Sequence, residues 1–192
     1  MPPELSPEIA ALLVVSVIWL VVESRQRRRT RPTATKAQDR CSTVLTFAPV
    51  AGLVTGGVLS WTVPDAAIRP PWLIALIGLG ALGCGGVLRL WCFRTLGDYF
   101  TFELMTSSDQ AVITSGPYKI VRHPSYAGLV LALVGAVTLM SNWLSLGIAT
   151  VTTVVSLIAW IKVEEEVLHR ELGDAYRTYA AATPHRLIPF VW

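Results

Sequence analysis

From Ser125 to Ile161 the chain carries no charged side chain, and that run limits what it can fold into more than any other feature. As one straight helix the run would measure roughly 55 Å, nearly twice the thickness of a hydrocarbon core of about 30 Å. It must turn back on itself. The polar pair Ser141-Asn142 near its middle, followed by Trp143 as an interfacial aromatic, predicts the turn of a helical hairpin. Three further apolar stretches, Ile9 to Val22, Cys41 to Val63 and Pro70 to Leu88, predict spans of their own. The expected fold is all-α, a polytopic membrane protein with about five transmembrane helices, the last two a helical hairpin.

Composition agrees, because 53% of the residues are hydrophobic and only 15% charged, against roughly a quarter charged in a soluble domain. The bilayer is the expected solvent and membrane lipids the first expected partner. One domain is expected over residues 1–192, with three N-terminal spans in 1–93 and the polar, motif-bearing part in 94–192. A net charge of +3 provides no basic field for nucleic acid. Cys41, Cys84 and Cys92 form no CxxC pair, so neither a disulfide framework nor a metal site is expected. The basic cluster Arg25 to Arg31 follows the first apolar run instead of preceding it, which argues for a retained span over a cleaved signal. Placed by the positive-inside rule, that cluster lies in the cytoplasm. With five spans the N-terminus is then outside, and 94–123 and 162–192, the two most polar segments, come together on the cytoplasmic side.

Two constellations there carry more than a membrane boundary needs. The first is Gly116-Pro117-Tyr118-Lys119-Ile120-Val121-Arg122-His123-Pro124-Ser125-Tyr126-Ala127-Gly128. Gly116-Pro117 reads as a turn, and Pro124 suits the first position of a helix. The plain reading is an anchor at headgroup level with its tyrosines in an aromatic belt; the alternative is a site. The second begins at Trp160 and runs through Glu164-Glu165-Glu166 to Leu172-Gly173, Tyr176 and Tyr179. Helical spacing stacks Trp160, Glu164, Leu168 and Leu172 on one stripe, so Glu164 points where its apolar neighbours point, and a carboxylate so placed needs a partner or a function. Glu166 and Glu171 read better as a solvated acidic collar.

Together these residues resemble the isoprenylcysteine carboxyl methyltransferases and their prokaryotic relatives. The resemblance rests on Gly116-x-Tyr118-x-x-x-Arg122-His123-Pro124-x-Tyr126-x-Gly128, on Glu164-Glu165-x-x-Leu168-x-x-x-Leu172-Gly173-x-x-Tyr176-x-x-Tyr179, and on Arg186-Leu187-Ile188-Pro189-Phe190. It covers about the last 85 residues, and the first two spans carry no motif. It implies a cytoplasmic, cofactor-binding C-terminal region that takes S-adenosylmethionine and receives a lipophilic small molecule or lipid-modified substrate from the bilayer. Carried over by position, Gln110, Ala111, Val112, Ile113, Tyr118, His123, Pro124, Ser125, Tyr126 and Glu164 are expected to contact the cofactor, and Arg122 and Glu165 to act in catalysis.

A carboxylate acceptor is already ionised at neutral pH and needs no general base. An amine or phenol would need one, for which His123, Glu165 and Tyr126 are candidates. Members acting on prenylated cysteine resemble one another in an arginine one helical turn before the first glutamate, where this chain has Trp160. Arg122 or Lys162 would then hold the acceptor, or the acceptor differs. O-methylation of a carboxylate is the leading expectation, with phospholipid or other amine N-methylation as the alternative enzyme and a non-catalytic membrane scaffold as the alternative class. A transporter is disfavoured, since no internal repeat and no charge in the middle of a span marks an ion path. Residues 165–182 are expected to close over the cofactor as a lid.

Overall fold

The computed structural model describes residues 35–36, 40–97, 105–106 and 112–192. Among these the chain is helical apart from a two-residue antiparallel ladder, β1 (Thr35–Lys36) with β2 (Met105–Thr106). Five helices follow one another: α1 (Arg40–Thr62), α2 (Pro71–Leu96), α3 (Pro124–Thr138), α4 (Trp143–Glu171) and α5 (Gly173–Ala182). The stretch Ile9 to Val22 expected as the first span lies outside the described residues.

Helix α1 coincides with the second expected span. Helix α2 runs two turns past the expected end at Leu88, carrying Arg89 and Arg94 within the helix. The hairpin is present, with its turn at Ser141-Asn142, and Asn142 explains why. Its Oδ1 accepts from the amides of Leu144 and Ser145 at 3.0 and 3.1 Å, capping α4. Its Nδ2 donates to Val63 O at 2.9 Å, and Ser145 Oγ donates to Gly56 O at 2.6 Å, fastening the turn to α1. The two arms are unequal. Helix α3 spans 15 residues, roughly 22 Å, whereas α4 spans 29, roughly 43 Å. Nothing interrupts α4 at the end of its apolar run, so Lys162 to Glu171 continue the same rod. Helices α2 and α4 are long and apolar enough to cross a membrane.

Helix α2 packs along α3 and α1 along α4, and the hairpin joins the two pairs. The α2–α3 seam is made of glycine. A Cβ on Gly85 would come within 2.5 Å of Gly128 O and Ala132 N, and one on Gly135 within 2.5 Å of Leu82 N. Backbones that touch so closely are the small-residue packing of membrane helices. Helix α4 shows the same logic by face. Ser145, Ala149, Thr153 and Ser156 are buried, whereas Leu144, Ile148, Val151 and Val155 point outward. Small residues inside and large apolar ones outside invert the arrangement of a soluble protein, which rarely exposes a contiguous apolar face. Lipid is the solvent that suits it.

Candidate active site

Past the apolar faces, four segments meet: the turn Gly116–Lys119 with the link to Pro124, the start of α3, the last turns of α4, and the strap 183–192 after α5. Two backbone bonds sew strap to link, Arg122 N to His185 O at 2.9 Å and His123 N to Arg186 O at 2.8 Å. The Tyr179 hydroxyl of α5 donates to Tyr118 O at 2.7 Å. Burial pushes the Tyr179 phenol up to about 12, against the pull of Arg122, and pushes those of Tyr118 and Tyr176 upward too. All three remain protonated donors at neutral pH.

Glu165 is the centre of the cluster. It is only 4% exposed, and three groups converge on it. His123 Nε2 and Arg122 Nε each stand 3.2 Å from Oε1, and Arg186 Nε donates to Oε2 at 2.8 Å. A buried carboxylate costs several kcal/mol unless partners compensate it, and here they do. Helical spacing set Glu164 among apolar neighbours, yet its side chain is 24% exposed against 6% for Glu165. The stripe turned inward is the one through fully buried Ile161, with Glu165 four residues on. Glu166, Glu171 and Lys162 are exposed, as expected of the collar, and Lys162 is thereby unsuited to replace an inward-facing arginine.

Glu164 flanks the cluster, its side chain 24% exposed and its Oε2 3.7 Å from His123 Nδ1. That oxygen is buried and makes no hydrogen bond. Beside it, Trp160 Nε1 donates to the Tyr126 hydroxyl at 2.8 Å, and Tyr126 faces Glu164. The Tyr126 ring stacks on His123 with centroids 5.7 Å apart. An unsatisfied carboxylate oxygen against three aromatic rings suits a ligand that brings a positive charge or hydroxyl donors.

The structure therefore brings together Tyr118, Arg122, His123, Pro124, Ser125, Tyr126, Glu164 and Glu165. Val112 and Ile113 are half-buried in the segment leading to Gly116, and Gln110 and Ala111 lie outside the described residues. Sequence reasoning missed Arg89, taken only as the boundary of a span. It is buried, and its Nη1 donates to Ser125 Oγ at 2.9 Å and to Ser125 O at 3.2 Å, clamping the start of α3. Its guanidinium also lies over the Phe93 ring at 4.9 Å. A charge immediately after the presumed end of an apolar run was the available signal. Arg186 appeared only as part of a motif, because nothing local predicts a partner 21 residues away. The expected lid is also revised. Residues 165–171 are part of α4, and the chain breaks at Gly173, whose φ of +53 favours glycine. Only α5 stands as a separate element, docked through Tyr176 and Tyr179.

Fold and cluster define an all-helical integral membrane protein with a polar, aromatic-walled site at one end of its bundle. The profile described as the Isoprenylcysteine carboxyl methyltransferase family matches residues 76–170, which hold most of that site, and through this segment the chain is similar to that family. It is 32% identical over 127 residues to protein-S-isoprenylcysteine O-methyltransferase B of Arabidopsis thaliana, covering 65% of this chain and 64% of that one. It is 30% identical over 147 residues to protein-S-isoprenylcysteine O-methyltransferase of Schizosaccharomyces pombe, covering 69% and 60%. The solved structure of a eukaryotic intramembrane Ras methyltransferase, an isoprenylcysteine carboxyl methyltransferase, superposes with a TM-score of 0.59 at 27% identity, covering 81% of this chain and 55% of that one. The chain thus spans less than two thirds of the length of these relatives.

Proposed function

We propose that the protein transfers a methyl group from S-adenosylmethionine to the carboxylate of a lipophilic acceptor held in the membrane, on the cytoplasmic side. The observation that carries this reading is the buried Glu164 Oε2, which accepts no hydrogen bond and lies 3.7 Å from His123 Nδ1 beside the Trp160–Tyr126 pair. When bound, S-adenosylmethionine supplies an electrophilic methyl group on a positively charged sulfur. Glu164 provides a negative oxygen for that ligand, Tyr126 and Trp160 provide π faces, and Tyr118, Pro124 and Ser125 complete the wall. Gln110 to Ile113 are proposed to contact the cofactor as well.

The acceptor carboxylate is ionised at neutral pH, so no side chain has to remove a proton. Arg122 is the cation proposed to hold it. Glu165 fixes that guanidinium 3.2 Å away and is itself fixed by His123 and Arg186. Rate then comes from alignment of acceptor and donor. Trp160 supports a second reading, since it stands beside Glu164 and Tyr126 with its side-chain N–H spent on the Tyr126 hydroxyl. A neutral amine acceptor against an aromatic wall suits that arrangement.

The first test is calorimetric titration of the detergent-purified protein with S-adenosylmethionine or its demethylated product. Both Glu164→Gln and Tyr126→Ala are expected to weaken binding roughly tenfold, about 1.4 kcal/mol. A folded wild-type protein that binds neither ligand overturns the enzyme reading. Lipid extract labelled with a radioactive methyl donor then separates the acceptors, because a methyl ester releases methanol in alkali and an N-methyl group does not.

A further inference from the structure

Between residues 172 and 192, the large apolar side chains that reach solvent are confined to one tight turn. Ile188 is 51% exposed, Phe190 92% and Val191 75%. The turn is closed on itself by Leu187 N to Trp192 O at 2.8 Å and Val191 N to Ile188 O at 3.2 Å. Phe190 sits at φ +64, a left-handed conformation that is uncommon for a bulky residue and persists only where the surroundings impose it. The exposed face of α5 is polar by contrast, with Asp174, Arg177 and Thr178 outermost.

The position of the turn in the fold argues for what covers it. The strap that leads to it is bonded to Arg122 and His123, directly before α3. From Tyr126 and Trp160 inward, α3 and α4 carry only uncharged residues as far as the hairpin turn, whereas Arg122 and His123 before α3 and Lys162, Glu164 and Glu165 on α4 form the charged level. The strap therefore runs at the height where the bilayer begins. Ile120 is 58% exposed on the link beside exposed Lys119, adding an apolar residue and a cation at the same level. Arg186 lies over the Trp192 ring at 5.4 Å, an arrangement of the kind interfacial aromatics favour.

We propose that the turn Ile188–Trp192 is an interfacial anchor that inserts Ile188, Phe190 and Val191 into the lipid boundary beside the start of α3. The strap behind it carries Arg186 to Glu165 and the His185 and Arg186 carbonyls to the link, so lipid contact at the turn braces the charged cluster. The occupant is the bilayer itself, with its headgroups against Lys119.

The test needs neither cofactor nor substrate and so stands apart from the proposed reaction. The photoreactive residue p-benzoylphenylalanine is placed at Phe190, at Ile188, at lipid-facing Val151 and at exposed Asp174 in the full chain. Each protein is reconstituted in phosphatidylcholine–phosphatidylglycerol vesicles, irradiated and read by mass spectrometry. Phospholipid adducts at positions 190 and 188 are expected to approach the yield at 151 and to exceed that at 174 by about tenfold. Yields at 190 and 188 no higher than at 174 overturn the proposal, and so does cross-linking of both positions mainly to a second copy of the chain.

Discussion

At the residue scale, two neighbouring glutamates do different work. Glu165 is closed in by two arginines and a histidine, so its role is to hold other groups. Glu164 keeps an unsatisfied oxygen, which leaves it available to a ligand. Glu165→Gln removes the charge that compensates three buried or half-buried partners and is expected to destabilise the protein by about 3 kcal/mol. Glu166→Gln on the exposed face is expected to stay within about 0.5 kcal/mol. Thermal unfolding in detergent compares the two, and equal midpoints would sink the central role given to Glu165. The sequence marked both glutamates without telling which of them is enclosed. Helical spacing reports which residues share a stripe, whereas the choice between adjoining stripes was made by the packing around Ile161.

At the element scale, the glycines divide in a way the sequence alone could not. Within α2, a Cβ at Gly78 or Gly85 would run into backbone atoms of α3, whereas one at Gly80 or Gly83 would meet nothing within 4 Å. Gly85→Ala forces α2 and α3 apart and is expected to cost about 1–3 kcal/mol, the usual range for overpacking. Gly83→Ala has space and gains helix propensity, so it is expected to leave stability unchanged or raise it by up to about 1 kcal/mol. Urea or thermal titration of both variants checks the contrast, and a Gly85→Ala protein as stable as wild type would refute the close seam. The hairpin turn at Ser141-Asn142 was legible because a polar pair interrupts an apolar run too long for one span, a signal read over a few residues. The unequal arms were not, because hydropathy marks where lipid ends and not where a helix ends.

At the scale of the whole molecule, the membrane arranges the parts. Its apolar faces are turned outward and its charged cluster gathered at one end, and the basic residues near Arg25 predict that this end faces the cytoplasm. With native cysteines replaced by serine, Asp174→Cys is expected to react with an impermeant maleimide only after cells are opened, and Asp65→Cys before. The reverse pattern would invert the topology. What the sequence determined by itself was the solvent, the helical class, the hairpin and the residues of the two motifs, because hydropathy, capping and motif spacing all act over a few residues. Tertiary structure decided which glutamate is enclosed, that Arg89 clamps Ser125, and that Arg186 returns to the cluster. Each of those depends on segments distant in sequence meeting in space, and which ones meet is set by the packing of helices, which no short stretch of sequence encodes.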